Sequence, residues 1–148
     1  STLQPIKIND LIKDTLFLLN ANMFFKHKVE KVYRFDENLP VVFGRYSEFG
    51  VMILNIVQNA VEAMDDTEER HLGIETSHKD GMVAIKISDT GCGIPVKDQE
   101  HIFSPFFTTK KDGSGVGLSL SRQLMRLHGG TISFKSIPNK QTLFRLQF

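Results

Sequence analysis

Apolar residues near the start of the chain recur at the spacing of one helix face. Ile8, Leu11, Ile12, Leu16, Leu18 and Leu19 predict an amphipathic helix over 8–23, entered behind Asn9 or Pro5. Val29, Val32, Tyr33 and Phe35, mixed with charges, predict a strand over 29–36, and Asn38, Pro40 and Gly44 break the run. A longer helix is predicted from about Ser47, whose hydroxyl suits an N-cap, to Met64. Two strands, 72–77 and 82–88, are joined by Lys79-Asp80-Gly81. In the second, Val83, Ile85 and Ile87 share one face and Ala84, Lys86 and Ser88 the other. A stretch rich in Gly, Ser, Thr, Lys and Pro runs from Asp89 to Gly117, long enough for a functional loop. The helix that follows, from about Val116 to His128, stops at Gly129-Gly130. A strand over 131–137, a turn at Pro138-Asn139-Lys140 and a terminal strand over 142–148 are expected to form a hairpin. This order predicts an α/β (α+β) two-layer sandwich: a mixed sheet of about five strands with about three helices packed on one face.

Length and composition narrow the classes. The 148 residues fit one domain, so 1–148 is read as a single unit. With 41% hydrophobic and 24% charged residues the chain is globular rather than disordered. Eighteen basic against seventeen acidic residues leave a net charge of +1, which gives no reason to expect nucleic acid or direct membrane contact. Cys92 is the single cysteine, so neither an internal disulfide nor a Cys-rich zinc site is available, and it reads as an incidental loop thiol. No apolar run approaches membrane-spanning length and no charged-then-apolar leader opens the chain. Ser1 in first place, rather than Met, gives the expectation of a fragment of a longer protein.

Candidate chemistry lies in three blocks. On a helical wheel centred on Asn55, Asn59, Glu62, Asp66 and Glu48 fall within roughly 40° of it, while Phe49, Met52, Ile53, Ile56, Val57, Ala60 and Met64 fill a separate arc. Such a stripe is also what a solvated helix face looks like. Two asparagines four apart point further, because Asn is a poor helix former and amide oxygens on successive turns can hold a hard cation near phosphates. In the second block, Asp89-Thr90-Gly91-Cys92-Gly93-Ile94-Pro95 leaves a buried strand. Its carboxylate can accept from an exocyclic amine such as adenine's, and its glycines let backbone turn sharply against a flat ligand. A tight loop capped by Asp89 is the alternative. In the third, Gly113-Ser114-Gly115-Val116-Gly117 opens a helix, where unpaired N–H groups suit phosphate, a flexible linker being the alternative. It matches neither GxxxxGK[ST] nor GxGxxG, and protein-kinase motifs of the His-Arg-Asp and Asp-Phe-Gly kind are absent. Between the glycine-rich turns, the aromatics of Ile102 to Phe107 are either core plugs, the usual fate of Phe, or an anchor for a lid, which their place favours. Lys110 and Lys111 either bring positive charge to a phosphate chain or are ordinary solvated lysines.

Taken together, the blocks resemble the ATP-binding domain of the GHKL superfamily, which includes sensor histidine kinases, DNA gyrase, the ninety-kilodalton heat-shock chaperones and MutL. The likeness covers about residues 48–148. Asn55-Ile-Val-Gln-Asn59-Ala60 is similar to the N box, Asp89-Thr-Gly-Cys-Gly-Ile to the G1 box, Phe103 to Phe107 to the F box and Gly113 to Leu118 to the G2 box. The resemblance implies ATP and Mg²⁺ as cofactors. Asn59 would bind the metal, with Asn55 near metal or phosphates and acting, with Lys110, in the transfer itself. Asp89 would recognise the adenine amine, Gly91 and Gly93 would shape that wall, and Thr142 would lie near the base. Gly113, Gly115 and Gly117 would line the phosphates and Leu118 would seat the loop. Nucleotide contact would extend to Ile94, Phe103, Thr109, Ser114 and Val116.

Gyrase, MutL and the chaperones carry a water-activating glutamate four residues before the metal-binding asparagine. Here that position is Asn55, an amide that is no general base at neutral pH. The resemblance therefore implies a histidine kinase, passing the γ-phosphoryl to a histidine on a separate dimerisation and phosphoacceptor domain. A response-regulator receiver domain would be an indirect partner, and the location would be cytoplasmic, whether or not the parent protein is anchored to a membrane. Where some sensor kinases have a lysine three residues after the metal-binding asparagine, this chain has Glu62, and Lys110 is the substitute candidate. None of His27, His71, His78, His101 and His128 stands in the setting of a phosphoacceptor, so phosphotransfer needs helices outside this sequence. The competing readings are a GHKL ATPase that couples nucleotide to conformational change and a non-catalytic nucleotide-sensing module.

Overall fold

The computed structural model describes residues 2–108 and 117–148. The elements are β1 (Gln4–Ile6), α1 (Ile8–Leu19), α2 (Met23–Lys28), β2 (Glu30–Arg34), β3 (Val42–Gly44) and α3 (Tyr46–Ala63), then β4 (His71–Lys79), β5 (Met82–Asp89), α4 (Val96–Gln99), α5 (Gly117–Leu127), β6 (Thr131–Ile137) and β7 (Gln141–Gln147). Five strands form one sheet in the order β2-β4-β5-β7-β6, and β1 pairs with β3 apart from it. β2 and β4 run parallel, as a crossover through α3 allows, and the remaining neighbours are antiparallel. The expected mixed five-stranded sandwich is the observed fold.

Alternation decides which face of the sheet is covered. Leu72, Ile74, Ile85, Ile87, Phe144 and Leu146 point inward, against Ile8, Leu11, Ile12 and Leu16 of α1 and Phe49, Met52, Ile53, Ile56 and Val57 of α3. The hairpin turn puts Asp80 and Gly81 at φ 53° and 81°, the left-handed pair that a two-residue turn needs. At the end of α5, Gly129 (φ 74°) donates to Arg126 O and Gly130 to Met125 O, a Schellman stop.

Local chemistry moved several boundaries. The helix expected over 8–23 ends at Leu19, and a second begins behind Asn22, whose Oδ1 accepts from Phe25 N–H at 3.0 Å. α1 starts behind Lys7, not Asn9 or Pro5. Asn9 spends its amide on tertiary bonds instead, donating to Asp36 O and accepting from the Thr76 hydroxyl. α3 starts behind Arg45 rather than Ser47. β1, β3 and α4 are three or four residues long, too short to leave a period in the sequence. No helix among the described residues is long and apolar enough to cross a membrane.

Candidate functional site

Three rows of side chains cross β5, β7 and β6 on the helix-facing side of the sheet. Two are apolar: Ile85, Leu146, Ile132 and then Ile87, Phe144, Phe134. The third, at the end of the sheet, is Asp89, Thr142, Ser136. Asp89 and Thr142 are each only 4% exposed, so these two are set into the core, with Ser136 half-buried beside them. Asp89 Oδ1 accepts from Gly91 N–H at 2.8 Å. Burial pushes the Asp89 carboxyl up to about 6, with the Gly91 N–H pulling the other way. Among the described residues no cation pairs with it. A carboxylate desolvated in this manner is poised to accept from a donor that enters beside it.

The loop after Asp89 is held by backbone. A Cβ on Gly91 would stand 2.6 Å from Ala63 O, and Cys92 N–H donates to that same carbonyl at 2.9 Å. Gly93 has φ 69°, and a Cβ there would collide with Ile137 O. The space these glycines leave is thus filled by the chain's own helix end and hairpin. They let that wall pack closely on its own side. Ile94 N–H donates to Ser136 Oγ at 2.8 Å, and Gln99 Nε2 reaches Ile94 O and Ser136 O. Neither Ser136 nor Gln99 was expected at the site. Ser136 had a signal, since it falls in phase with the inward Ile132 and Phe134; Gln99 had none.

Across the fold, Asn55 Nδ2 donates to Gly117 O at 3.3 Å, and Ser121 Oγ donates to the same carbonyl at 2.9 Å. Asn55 therefore fixes the start of α5 against α3, with its amide oxygen still able to accept. Asn59 is half-buried one turn further along α3. No group of three His, Cys, Asp or Glu among the described residues is set to hold a metal alone. A cation here would draw most of its ligands from phosphate and water, and amide oxygens fit that donor set for Mg²⁺.

Phe103 packs its ring on Phe134 at 5.9 Å and under the Arg122 guanidinium at 4.9 Å, so it anchors the segment after α4. Phe107 and Ile94 pack on the core, whereas Phe106 is 77% exposed. Leu118, in the first turn of α5, also packs on the core. Thr109, Lys110, Gly113, Ser114, Gly115 and Val116 lie outside the described residues. A cleft of 510 Å³ on the outer face of the sheet, among Val32, Arg34, Gly73, Lys86 and Leu143, reaches Asp89 and Thr142 at the same sheet end.

The family model described as histidine kinase-, DNA gyrase B- and HSP90-like ATPase matches residues 44–148. The chain is 34% identical over 144 residues to the signal transduction histidine-protein kinase AtoS of Escherichia coli (strain K12), covering 97% of this chain and 23% of that protein. It is 28% identical to the sensory histidine kinase/phosphatase NtrB of Rhizobium leguminosarum bv. phaseoli, covering 96% of this chain and 40% of that one. The chain thus spans less than half the length of these relatives. Among solved structures, the catalytic domain of histidine kinase ThkA superposes with a TM-score of 0.84 at 28% identity, covering 100% of this chain and 95% of that one. Full-length ShkA in complex with AMPPNP shares the fold, with a TM-score of 0.83 at 24% identity over 99% of this chain and 30% of that one. With the polar row, the asparagine pair and these likenesses together, the chain belongs to the histidine kinase-, DNA gyrase B- and HSP90-like ATPase family, as an ATP-binding catalytic domain of the sensor histidine kinase kind.

Proposed function

We propose that this domain binds Mg-ATP at the Asp89 end of the sheet and donates the γ-phosphoryl group to a histidine on a separate dimerisation and phosphoacceptor domain of the same kinase. A response-regulator receiver domain would take the group onward. The observation that carries the reading is the buried Asp89 carboxylate, which has a backbone N–H but no cation as partner among the described residues. The turn after β5 uses one N–H on that carboxylate; an exocyclic amine arriving beside it would use the acceptor capacity the turn leaves.

In this reading Asp89 accepts from the adenine amine, and Thr142 lies directly opposite on β7. Phosphoryl transfer needs chiefly positioning and neutralisation of charge. Mg²⁺, when bound, would supply that neutralisation, with Asn59 and the Asn55 oxygen as protein ligands. Asn55 also ties α5 to α3 through Gly117, so the helix that follows the glycine-rich segment starts from a fixed point. Gly113, Ser114, Gly115, Val116, Thr109 and Lys110 enter as phosphate-side residues from their place in the sequence. In the transfer the histidine nitrogen forms a bond to phosphorus as the bridging oxygen of ADP leaves. Asn55 cannot take a proton from water, so hydrolysis is not the favoured outcome.

The test is to mix the domain with a purified dimerisation helix pair from a sensor kinase and γ-labelled ATP. Label on histidine is the expected result. Free phosphate without protein label would make the domain an ATPase, and binding with neither would make it a nucleotide sensor.

A further inference from the structure

We propose that Ser136 is a positioning residue for base selection: by taking the proton of the Thr142 hydroxyl, it leaves Asp89 and Thr142 as two acceptors side by side. That pair would take a purine with an exocyclic 6-amine and turn away one with a 6-oxo group. The inference rests on the nucleotide reading above and adds a residue to it.

The proton count makes the case. Ser136 Oγ accepts from Ile94 N–H at 2.8 Å and stands 3.2 Å from Gln141 O and 2.8 Å from Thr142 Oγ1. A carbonyl oxygen can only accept, so the serine's own proton goes to Gln141 O. Either hydroxyl could donate across the 2.8 Å contact between Ser136 and Thr142; with the serine proton on Gln141 O, the threonine proton is the one left to make it. All of the Ser136 capacity is used: one proton given, two lone pairs filled. Thr142 is left with lone pairs that can only accept, on the strand that neighbours Asp89 and directly opposite it. A 6-amine offers two N–H donors to that pair, while a 6-oxo group would set acceptor against acceptor. Without Ser136 the Thr142 hydroxyl could rotate and donate to a 6-oxo oxygen.

Titration calorimetry of the domain with Mg-ATP and Mg-ITP at pH 8 tests this. The parent should prefer ATP. Ser136→Ala should reduce the ATP-to-ITP preference about tenfold, mainly by improving ITP, the size of one hydrogen bond gained or lost. Ser136→Thr, which keeps a hydroxyl, should hold the parent's ratio. If Ser136 only anchors Ile94, both nucleotides weaken by one factor and the ratio stands, which overturns the proposal. Thr142→Val gives a second arm should Ser136→Ala fold poorly: a ratio equal to the parent's also overturns it. A parent that binds neither nucleotide removes the nucleotide reading itself, a result distinct from a parent that binds ATP and a variant that keeps its ratio.

Discussion

Asp89→Asn separates what the carboxylate does for binding from what it costs in folding. The group's pKa rises from 3.8 in the unfolded chain to about 6 in the folded one, because burial disfavours the charge. Its folded pKa lies above its unfolded one, so the folded state takes up a proton between those values. The charged group's contribution is therefore harmless below pH 3.8 and grows steadily more unfavourable as pH rises through 6. Two pKa units correspond to about 3 kcal/mol of lost stability at pH 7.5 and about half that at pH 5. Asparagine keeps an oxygen for the Gly91 N–H and carries no charge. The nucleotide-free variant should thus gain on the order of 2–3 kcal/mol at pH 7.5, or roughly 4–12 °C in Tm for a chain of this size. The gain should shrink toward pH 4.

Urea unfolding of parent and variant at pH 4, 5 and 7.5 reads this directly. The amide NH₂ brings its own small desolvation cost, so the pH slope of the difference is more diagnostic than its size. A variant no more stable than the parent at pH 7.5, with a difference flat in pH, would refute the argument that Asp89 is held charged against its surroundings. The same substitution should remove ATP binding. In the parent, ATP affinity should fall as pH drops below 6, since an amine donor requires the ionised carboxylate.

Gly91→Ala should cost at least about 2 kcal/mol in urea unfolding and weaken ATP by more than tenfold, because its methyl would meet the Ala63 carbonyl at 2.6 Å and displace the loop. Arg70→Ala should cost about 1–2 kcal/mol, since the guanidinium caps the end of α3 through Met64 O and Asp65 O, and Arg70→Lys should not restore it in the same assay. Asn59→Ala should remove the Mg²⁺ dependence of ATP binding in calorimetric titration; unchanged dependence would place the metal elsewhere.

The parts of the site that sequence could show are those written in the alternation of single strands. Val83, Ile85 and Ile87 point inward, and Asp89 is the next residue in that phase, so a carboxylate on a core-facing position was visible without any coordinates. Thr142 follows the same rule ahead of Phe144 and Leu146, and so does Ser136 after Ile132 and Phe134. A serine in a strand draws little notice by itself; it gains meaning only once register sets Ser136, Thr142 and Asp89 in one row. What stayed hidden depended on partners far along the chain. The reason for Gly91 is Ala63, and the reason for Gly93 is Ile137. Asn9 could pass for a helix cap until Thr76 and Asp36 claimed its amide. A polar side chain in a core phase has lost water and must find a donor or acceptor in the protein or in a ligand. Thr142 and Ser136 find theirs in each other, whereas among the described residues Asp89 has one N–H for a carboxylate. That imbalance is why Asp89, among the three, is the residue that asks for a ligand.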